Sequence, residues 1–289
     1  MLDAARCFAL VPCAGVGLRA GTSGPKQYAL LAGQPVVAYT LQALAAVQRI
    51  SATLVVLAPE DALFEQQVPA FAGPRAWVAR CGGSSRAATV AAGLNELQRR
   101  GALAQDWVLV HDAARCLLQP DWVQRLIDAC LGDGVGGLLA LPLADTLKEQ
   151  AASPARALEA GNGLNGEDGQ DGQDGQNGPD RPDGPNVPID PSRPDATSSQ
   201  SGTQPARVAC SVPRANKWLA QTPQMFPLGL LQQALREAST GADLAAVTDE
   251  ASAIEALGLA PLLVPGELEN FKLTWPADFA LAARLLESR

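Results

Sequence analysis

Short apolar runs alternate with segments of helical period over the first half of the chain. The apolar runs are typical of buried strands and lie at 8–12, 53–58, 76–80, 107–111 and 136–143. The intervening segments repeat apolar residues at helical spacing and lie at 35–47, 84–100 and 121–131. Strands separated by helices predict βαβ units, and therefore an α/β fold with a doubly wound, mostly parallel sheet.

The alternation resumes in the last third of the chain. Its segments are a strand or extended stretch at 217–226, helices at 228–238 and 248–257, a strand at 259–264 and a closing helix at 276–287. Thr248 is the predicted N-cap of the second of these helices, because the acidic pair that follows it suits a first helical turn. Ligands of such sheets bind beyond the carboxyl ends of the strands.

Residues 150–209 break this pattern. The segment contains GNGLNGEDGQDGQDGQNG, many prolines and few large apolar side chains. Such a composition does not offset the entropy of ordering a chain, so it predicts a disordered low-complexity insertion. A calcium-binding Asp/Gly repeat would need regular apolar positions, which are missing. We therefore expect a single domain over 1–289 that carries this insertion.

The charge of the chain is uneven. The formal net charge is −8, of which residues 150–209 hold −5 from nine acidic and four basic residues, leaving −3 for the remainder. A nucleic-acid partner is not expected, because phosphate backbones are bound by basic surfaces.

Cysteine, histidine and apolar content limit the class of protein further. The six cysteines form no CxxC pair and His111 is the only histidine, which argues against a common zinc site. Free thiols indicate a reducing cytoplasm. No stretch reaches the ~20 apolar residues that span a bilayer, so no membrane partner is expected. Residues 7–18 resemble a signal-peptide core only faintly, since Pro12 and Gly15 interrupt them.

The first candidate motif follows the first strand. PCAGVGLR at 12–19 and GPKQ at 24–27 combine glycines, which admit phosphates close to the backbone, with Arg19 and Lys26. Two cations on such a loop would stabilise the charge of a transferring phosphoryl group. The loop matches neither a Walker A motif nor the full dinucleotide fingerprint. A solvated surface loop is the alternative.

The second motif, HDAAR at 111–115, ends an apolar strand. Asp112 would there suit Mg²⁺ or a sugar hydroxyl, or else cap the next segment and pair with Arg115. His111 is a candidate general base or a packed core histidine. Three further segments are weak signals when taken singly: Asp145-Thr146, Arg214 with Trp218 and 221–224, and Asn270–Thr274.

Seven segments together resemble the 2-C-methyl-D-erythritol 4-phosphate cytidylyltransferase family. In chain order they are PCAGVGLR, GPKQY, HDAAR, ALPLADTLK, PRANKWLAQTPQMF, VTDEASAIEALG and ENFKLT. Each is weak alone, but their order is specific and they span nearly the whole chain outside 149–209. The resemblance implies a Rossmann-like nucleotidyltransferase fold with a projecting β-arm, from which the insertion would extend.

The resemblance also implies an activity. Such an enzyme transfers CMP from CTP to 2-C-methyl-D-erythritol 4-phosphate, giving the CDP-polyol and pyrophosphate for non-mevalonate isoprenoid precursor synthesis. Mg²⁺ is the implied cofactor, bridging the CTP phosphates, and no residue of the chain is assigned as its ligand. A homodimer formed through the arm is the implied assembly.

The family's functional residues map onto matching positions of this chain. The implied catalytic cations are Arg19, Lys26 and Lys272. The implied nucleotide contacts are Cys13, Ala14, Gly15, Gly83, Ser84 and Thr89. The implied polyol-phosphate contacts are Asp112, Arg115, Thr146, Arg214, Thr222 and Thr248. Thr146, Arg214 and Thr222 resemble arm residues that reach the active site of the partner subunit.

The chain departs from the family pattern at three places. Ser84 stands where many relatives carry Asp, Cys116 stands where many carry Pro, and the insertion interrupts the arm itself. The first departure leaves the details of cytosine contact open, although a hydroxyl can still hydrogen-bond.

Three alternative functions follow from the same residues. The first is a cytidylyltransferase for another polyol phosphate, such as ribitol 5-phosphate. The second is a non-catalytic nucleotide-binding regulator. The third is a nicotinamide dehydrogenase, which Glu60 and Asp61 after the second strand would suit and the missing third glycine disfavours.

Overall fold

A computed structural model of the chain describes residues 5–15, 24–151, 206–240 and 248–289. Its strands are β1 (Cys7–Pro12), β2 (Leu30–Leu31), β3 (Gln34–Pro35), β4 (Ile50–Val56), β5 (Ala76–Ala79), β6 (Trp107–Val110), β7 (Gly137–Pro142), β8 (Leu147–Gln150), β9 (Val208–Val212), β10 (Trp218–Pro227) and β11 (Leu262–Pro265). Its helices are α1 (Val36–Ala45), α2 (Phe64–Gln67), α3 (Arg86–Arg99), α4 (Pro120–Cys130), α5 (Leu228–Thr240), α6 (Glu250–Ala256) and α7 (Pro276–Glu287), with a 3₁₀ turn at Lys26–Tyr28.

The described chain falls into two units. The body comprises the residues up to Leu143 and from Asn216 onward, and the arm comprises Ala144–Ala215. No helix within the described ranges is both long and apolar enough to cross a membrane.

A seven-stranded sheet forms the centre of the body. Its strand order is β11–β7–β10–β6–β1–β4–β5, and every neighbouring pair is parallel except the two that β10 makes. The predicted α/β fold with a mostly parallel sheet is therefore confirmed. The carboxyl ends of β1, β4, β5 and β6 meet at one edge, where the sequence predicts a ligand site.

Both faces of the sheet are covered because its central strands are apolar on both sides. Cys7, Ala9 and Val11 of β1 pack with α1 and α4 on one face. Phe8 and Leu10 pack with α3, α5 and α6 on the other. This period of two is that of a buried strand, so residues 7–12 are a core element of the fold.

Strand β10 lies antiparallel between β6 and β7. Its register shifts between Ala220 and Gln224, so that Gln221 and Thr222 do not take part in the regular ladder. Their side chains are nevertheless buried, and they hydrogen-bond to the loops that follow β6 and β11. The sequence predicts an extended segment here, but not its place between two sequence-distant strands.

The helix predicted at 248–257 begins later than expected. α6 starts at Glu250, and its N-cap is Asp249, whose Oδ1 accepts a hydrogen bond from the backbone N–H of Ser252 at 2.9 Å. The prediction of Thr248 as N-cap is therefore wrong. A carboxylate in the cap position also benefits from the positive end of the helix dipole.

The arm contains a two-stranded antiparallel ribbon of β8 and β9. Beyond the strands, the backbone N–H of Ala151 donates to the carbonyl of Arg207. The paired strands thus include both ends of the insertion predicted at 150–209. Residues 152–205, on which the prediction of disorder falls, lie outside the described residues.

Candidate active site

A cavity of about 490 Å³ opens at the carboxyl edge of the sheet. Loops after β1, β5 and β6 line it, together with the 3₁₀ turn and the segment before α7. The predicted site residues that line it are Cys13, Ala14, Gly15, Lys26, Gly83, Ser84, Thr89, Asp112 and Lys272. Its size is that of a small-molecule site, so the predicted nucleotide contacts and two of the three predicted cations share one pocket.

Close backbone approach shapes the floor of this cavity. Cys13 donates its N–H to Val56 O at 2.8 Å, and Gly82 donates to Leu57 O at 2.8 Å. A Cβ on Gly82 would lie 2.3 Å from the Cβ of Ala14 and 2.7 Å from Leu57 O. Only glycine therefore allows these two loops to approach so closely. Burial raises the pKa of the Cys13 thiol to about 12, so it is not a nucleophile at neutral pH.

The start of α3 forms one wall. Ser85 caps the helix by accepting a hydrogen bond from Ala88 N at 3.1 Å. The Thr89 hydroxyl accepts from Gly83 N at 3.1 Å and donates to Ser85 O at 2.9 Å. Thr89 thereby fixes the conformation of the glycine loop beside it. That Gly83, Ser84 and Thr89 contact a base stays a prediction.

Asp112 is the centre of the charged network in the cavity. Its Oδ1 accepts from Arg86 Nε at 2.8 Å and its Oδ2 accepts from Lys272 Nζ at 2.7 Å. Burial alone would raise the pKa of Asp112, but the charges of Arg86 and Lys272 outweigh it and hold this pKa well below its usual range. The carboxylate is therefore ionised at neutral pH and shared by two cations.

Sequence reasoning missed Arg86. Its Nη1 and Nη2 donate to Oε1 and Oε2 of Glu250 at 2.6 and 3.0 Å, and Glu250 is only 1% exposed. Two signals were present in the sequence: an arginine among the predicted nucleotide contacts 83–89, and a glutamate in the first turn of a helix. Neither shows that the two residues meet.

Lys272 lies in a segment without regular secondary structure that is fixed by side chains. Asn270 Nδ2 donates to Thr222 O at 2.8 Å and to Gln221 Oε1 at 3.2 Å. Leu273 donates its N–H to Ala114 O, and its carbonyl accepts from Lys26 Nζ at 3.0 Å. These bonds bring the two predicted lysines into the same cavity.

His111 is a core residue and not a general base. It is fully buried, and burial lowers its pKa to about 4, so it is neutral at pH 7. Its Nε2 lies 3.2 Å from Arg115 O and its Nδ1 lies 3.0 Å from Thr222 Oγ1. A carbonyl can only accept, which assigns the proton to Nε2 and makes Nδ1 the acceptor of the Thr222 hydroxyl.

Thr222 belongs to the body and not to the arm. It is buried, donates to His111 and accepts from Asp112 N at 3.0 Å. The expectation of an arm residue that reaches a partner's active site is therefore wrong for Thr222. Its position lies in the register shift of β10, which turns the hydroxyl toward the end of β6.

Arg115 does not pair with Asp112 through its side chain. Its guanidinium donates to Asn270 O at 2.7 Å and to Ala220 O at 3.3 Å, and its buried Nε has no hydrogen-bond partner within the described residues. The ion pair predicted as the alternative for Asp112 is therefore wrong. Arg115 also does not line the cavity, so its role in binding a polyol phosphate stays a prediction.

The remaining predicted residues fall elsewhere. Thr248 is exposed just before α6 and does not line the cavity. Thr146 and Arg214 lie in the arm, where Arg214 Nη1 donates to Ala144 O. Arg19 lies outside the described residues.

The sequence profile described as "2-C-methyl-D-erythritol 4-phosphate cytidylyltransferase" matches residues 7–158 and 197–288. The chain belongs to this family. Its predicted membership and the prediction of a nucleotidyltransferase enzyme are thereby confirmed. The unmatched residues, 159–196, lie within the predicted insertion.

Individual relatives agree with this assignment. A cytidylyltransferase of the same description from Laribacter hongkongensis is 45% identical, over 97% of this chain and 96% of its own length. The bifunctional enzyme IspD/IspF of Albidiferax ferrireducens is 49% identical over 98% of this chain, which spans only 54% of that protein. A crystal structure of a 4-diphosphocytidyl-2C-methyl-D-erythritol synthase is 33% identical with a TM-score of 0.68, covering 98% of this chain and 99% of its own.

The low pKa of His111 predicts a pH-dependent stability. The unfolded chain binds a proton on His111 below about pH 6.5 and the folded chain only near pH 4, so the free energy of unfolding falls as pH decreases between these values. From pH 7 to pH 5 the loss is about 2 kcal/mol. Urea unfolding of the wild type and of His111→Gln at both pH values measures it.

The His111→Gln variant is the control for all other titratable groups of the protein. Glu250, whose pKa burial raises, stabilises the folded state as pH falls, but it is present in both proteins and cancels in the difference. We expect His111→Gln to lose less stability than the wild type on going from pH 7 to pH 5. Equal losses would contradict the assignment of a buried neutral histidine.

Proposed function

We propose that this cavity transfers CMP from CTP to 2-C-methyl-D-erythritol 4-phosphate, releasing pyrophosphate. The observation that carries the proposal is that Lys26, Lys272 and Arg86 line one glycine-lined cavity at the strand ends. Two of them, Lys272 and Arg86, share the ionised carboxylate of Asp112. Family membership supports the same reaction.

The charge of the cavity suits a triphosphate. Three cations, Lys26, Lys272 and Arg86, face two carboxylates, Asp112 and Glu250, which leaves a formal net charge of +1 when all are ionised. CTP brings about four negative charges, so the positive net charge of these side chains favours its binding. The Lys272 ammonium has three N–H groups, of which Asp112 takes one in this structure, so others can reach a phosphate oxygen.

The two ends of the nucleotide would have different surroundings. The base and ribose would lie against Cys13, Ala14 and Gly15 and against the residues from Gly83 to Thr89 at the start of α3, where backbone groups and hydroxyls can hydrogen-bond to the edge of cytosine. The phosphates lie toward the two lysines. Arg19, which lies outside the described residues, is proposed as the third cation that binds the phosphates.

The chemical step requires orientation and positive charge more than a base. An oxygen of the polyol phosphate, already ionised at neutral pH, attacks the α-phosphorus of CTP. The new P–O bond forms as the bond to the bridging oxygen of pyrophosphate breaks, and pyrophosphate leaves with that electron pair. The buried neutral His111 is consistent with this, because both of its nitrogens are engaged within the protein.

Mg²⁺ fits this site as a companion of the nucleotide. Within the described residues no three His, Cys, Asp or Glu side chains are grouped to hold a metal ion, and both oxygens of Asp112 are engaged by cations. Mg²⁺ is commonly bound through substrate phosphates, water and few carboxylates. When bound, it would add charge neutralisation on the phosphates, while Lys26 and Lys272 hold them in place.

We further propose that the protein acts as a homodimer in the cytoplasm. Within the arm, both strands of the β8–β9 ribbon are exposed, and their exposed apolar residues include Leu147 and Val208. An isolated two-stranded ribbon is only marginally stable, and a second copy of the chain would cover its exposed side chains. The six cysteines are unpaired thiols, which fits a reducing compartment. The mass in solution tests the assembly: we expect twice the chain mass, and a monomer would contradict it.

A pyrophosphate-release assay tests the reaction. With CTP, Mg²⁺ and 2-C-methyl-D-erythritol 4-phosphate we expect turnover, and with ribitol 5-phosphate in its place we expect much less. Preference for ribitol 5-phosphate would favour the other polyol cytidylyltransferase. Binding of CTP without turnover of either substrate would favour a nucleotide-binding regulator.

Lys26→Ala tests the role of the phosphate-side cation. Removing one preorganised charge is expected to lower kcat by about 10²- to 10³-fold, because the charge acts most strongly on the transition state. The KM for either substrate should change much less. Steady-state kinetics measures both constants.

Arg49→Ala is the matched control for the loss of a cation. Arg49 pairs with Asp128 on the surface of the body and does not line the cavity. We expect its kcat to equal that of the wild type. A Lys26→Ala enzyme with near-normal turnover would remove the basis for the proposed clamp.

A further inference from the structure

Arg86 joins two buried carboxylates that lie on different elements. Its Nε donates to Asp112 after β6, and its two terminal nitrogens donate to Glu250 at the start of α6. Arg86 itself is in the first turn of α3. Three separate parts of the body are therefore held together by one guanidinium at the wall of the cavity.

The same network continues to Lys272. Asp112 Oδ2 accepts from Lys272 Nζ at 2.7 Å while Oδ1 is held by Arg86 at 2.8 Å. A carboxylate held at one oxygen by a rigid planar donor has its second oxygen fixed in direction. The position of the Lys272 ammonium thus depends on Arg86, although these two residues do not hydrogen-bond to each other.

Charge sharing has a second consequence for Lys272. With Arg86 present, the single negative charge of Asp112 is divided between two cations. Without it, Asp112 would pair with Lys272 alone and draw its charge away from a phosphate. Arg86 is in turn kept in place by Glu250, whose carboxylate binds it through two hydrogen bonds.

From this geometry we infer that Arg86 is a positioning residue for the proposed reaction: anchored by Glu250, it orients Asp112 and so keeps Lys272 directed at the phosphates of the substrate. The inference rests on the proposed function, since it gives Lys272 its role. It adds Arg86 and Glu250 to the residues that set the rate.

The competing explanation is purely structural. Glu250 is buried, and a buried carboxylate without a partner is strongly destabilising. Arg86 would then serve only to neutralise Glu250, and its contact with Asp112 would be incidental. Arg86→Met alone does not separate these explanations, because it leaves both carboxylates with one partner fewer.

A double substitution separates them. Arg86→Met with Glu250→Gln removes the cation and the buried charge together, so no unpaired charge remains at Glu250. We expect urea unfolding to show stability recovered relative to Arg86→Met alone. In the pyrophosphate-release assay we expect the kcat of the double variant to stay about 10- to 100-fold below that of the wild type. This is the size of effect that misplacing a reacting group produces. The KM for CTP should change little.

The pH profile gives a further readout that a structural role would not change. In the variant, burial of Asp112 is opposed mainly by Lys272, so the pKa of Asp112 rises and the acid limb of kcat moves to higher pH. The charged and titratable groups around Asp112 come from every element that packs on it: Arg86, Glu250, Lys272, His111 and Arg115. All but the two substituted residues are unchanged.

Two further variants complete the test. Arg86→Lys keeps the positive charge, but a single ammonium group cannot bind Asp112 and Glu250 at the same time with the geometry of the guanidinium. We expect this variant to be stable and its kcat to be at least tenfold lower. Arg6→Met breaks another arginine pair with a buried carboxylate, Asp106, away from the cavity. It should lose stability without losing kcat.

The outcomes distinguish this inference from the proposed function. An inactive wild type would refute the proposed function itself. An active wild type with a double variant whose kcat and acid limb return to normal would show that Arg86 only neutralises Glu250. A loss confined to the KM for CTP would show that Arg86 binds the nucleotide directly, and the positioning role would be wrong.

Discussion

The carboxylate of Asp112 is shared between Arg86 and Lys272, and the arrangement of the cavity depends on that sharing. Burial of an isolated carboxylate would favour its protonated form, so the two cations are what keep it charged. The charged carboxylate in turn lies between the two cations and offsets the repulsion between them. A pocket that must attract phosphates is thereby stable before any phosphate arrives.

Hydrogen bonds at the end of β6 hold the backbone that carries these charged residues. The hydroxyl of Thr222 accepts from the backbone of Asp112 and donates to His111, which fixes the loop that carries the carboxylate. Asn270 ties the segment of Lys272 to the same part of β10. These hydrogen bonds are buried, so a small displacement of β10 would also move the side chains of the cavity. The antiparallel strand thus has a functional reason to lie between β6 and β7.

Much of the body could be predicted because its signals are local. The period-two burial of β1 and the helical period of α3 follow from residues adjacent in sequence. The glycine loop and the lysines at 26 and 272 were found by motif, and the structure brings both lysines to one cavity. Errors in the bounds of the elements were small, such as Asp249 in place of Thr248 as the helix cap. Errors about long-range contacts were larger: Thr222 lies in the body and Arg115 does not pair with Asp112.

The sequence by itself determined the alternation of strands and helices, the glycine loop and the set of charged residues available to the site. Only the tertiary structure decided which of them pair. Arg115 is the cation nearest to Asp112 along the sequence, yet its guanidinium donates to the carbonyls of Ala220 and Asn270. The arginine that binds Asp112 is Arg86, which lies in α3. Ion pairs form by distance in space, and that distance is set by how α3, β10 and the segment of Lys272 pack around the end of β6, which no local pattern encodes.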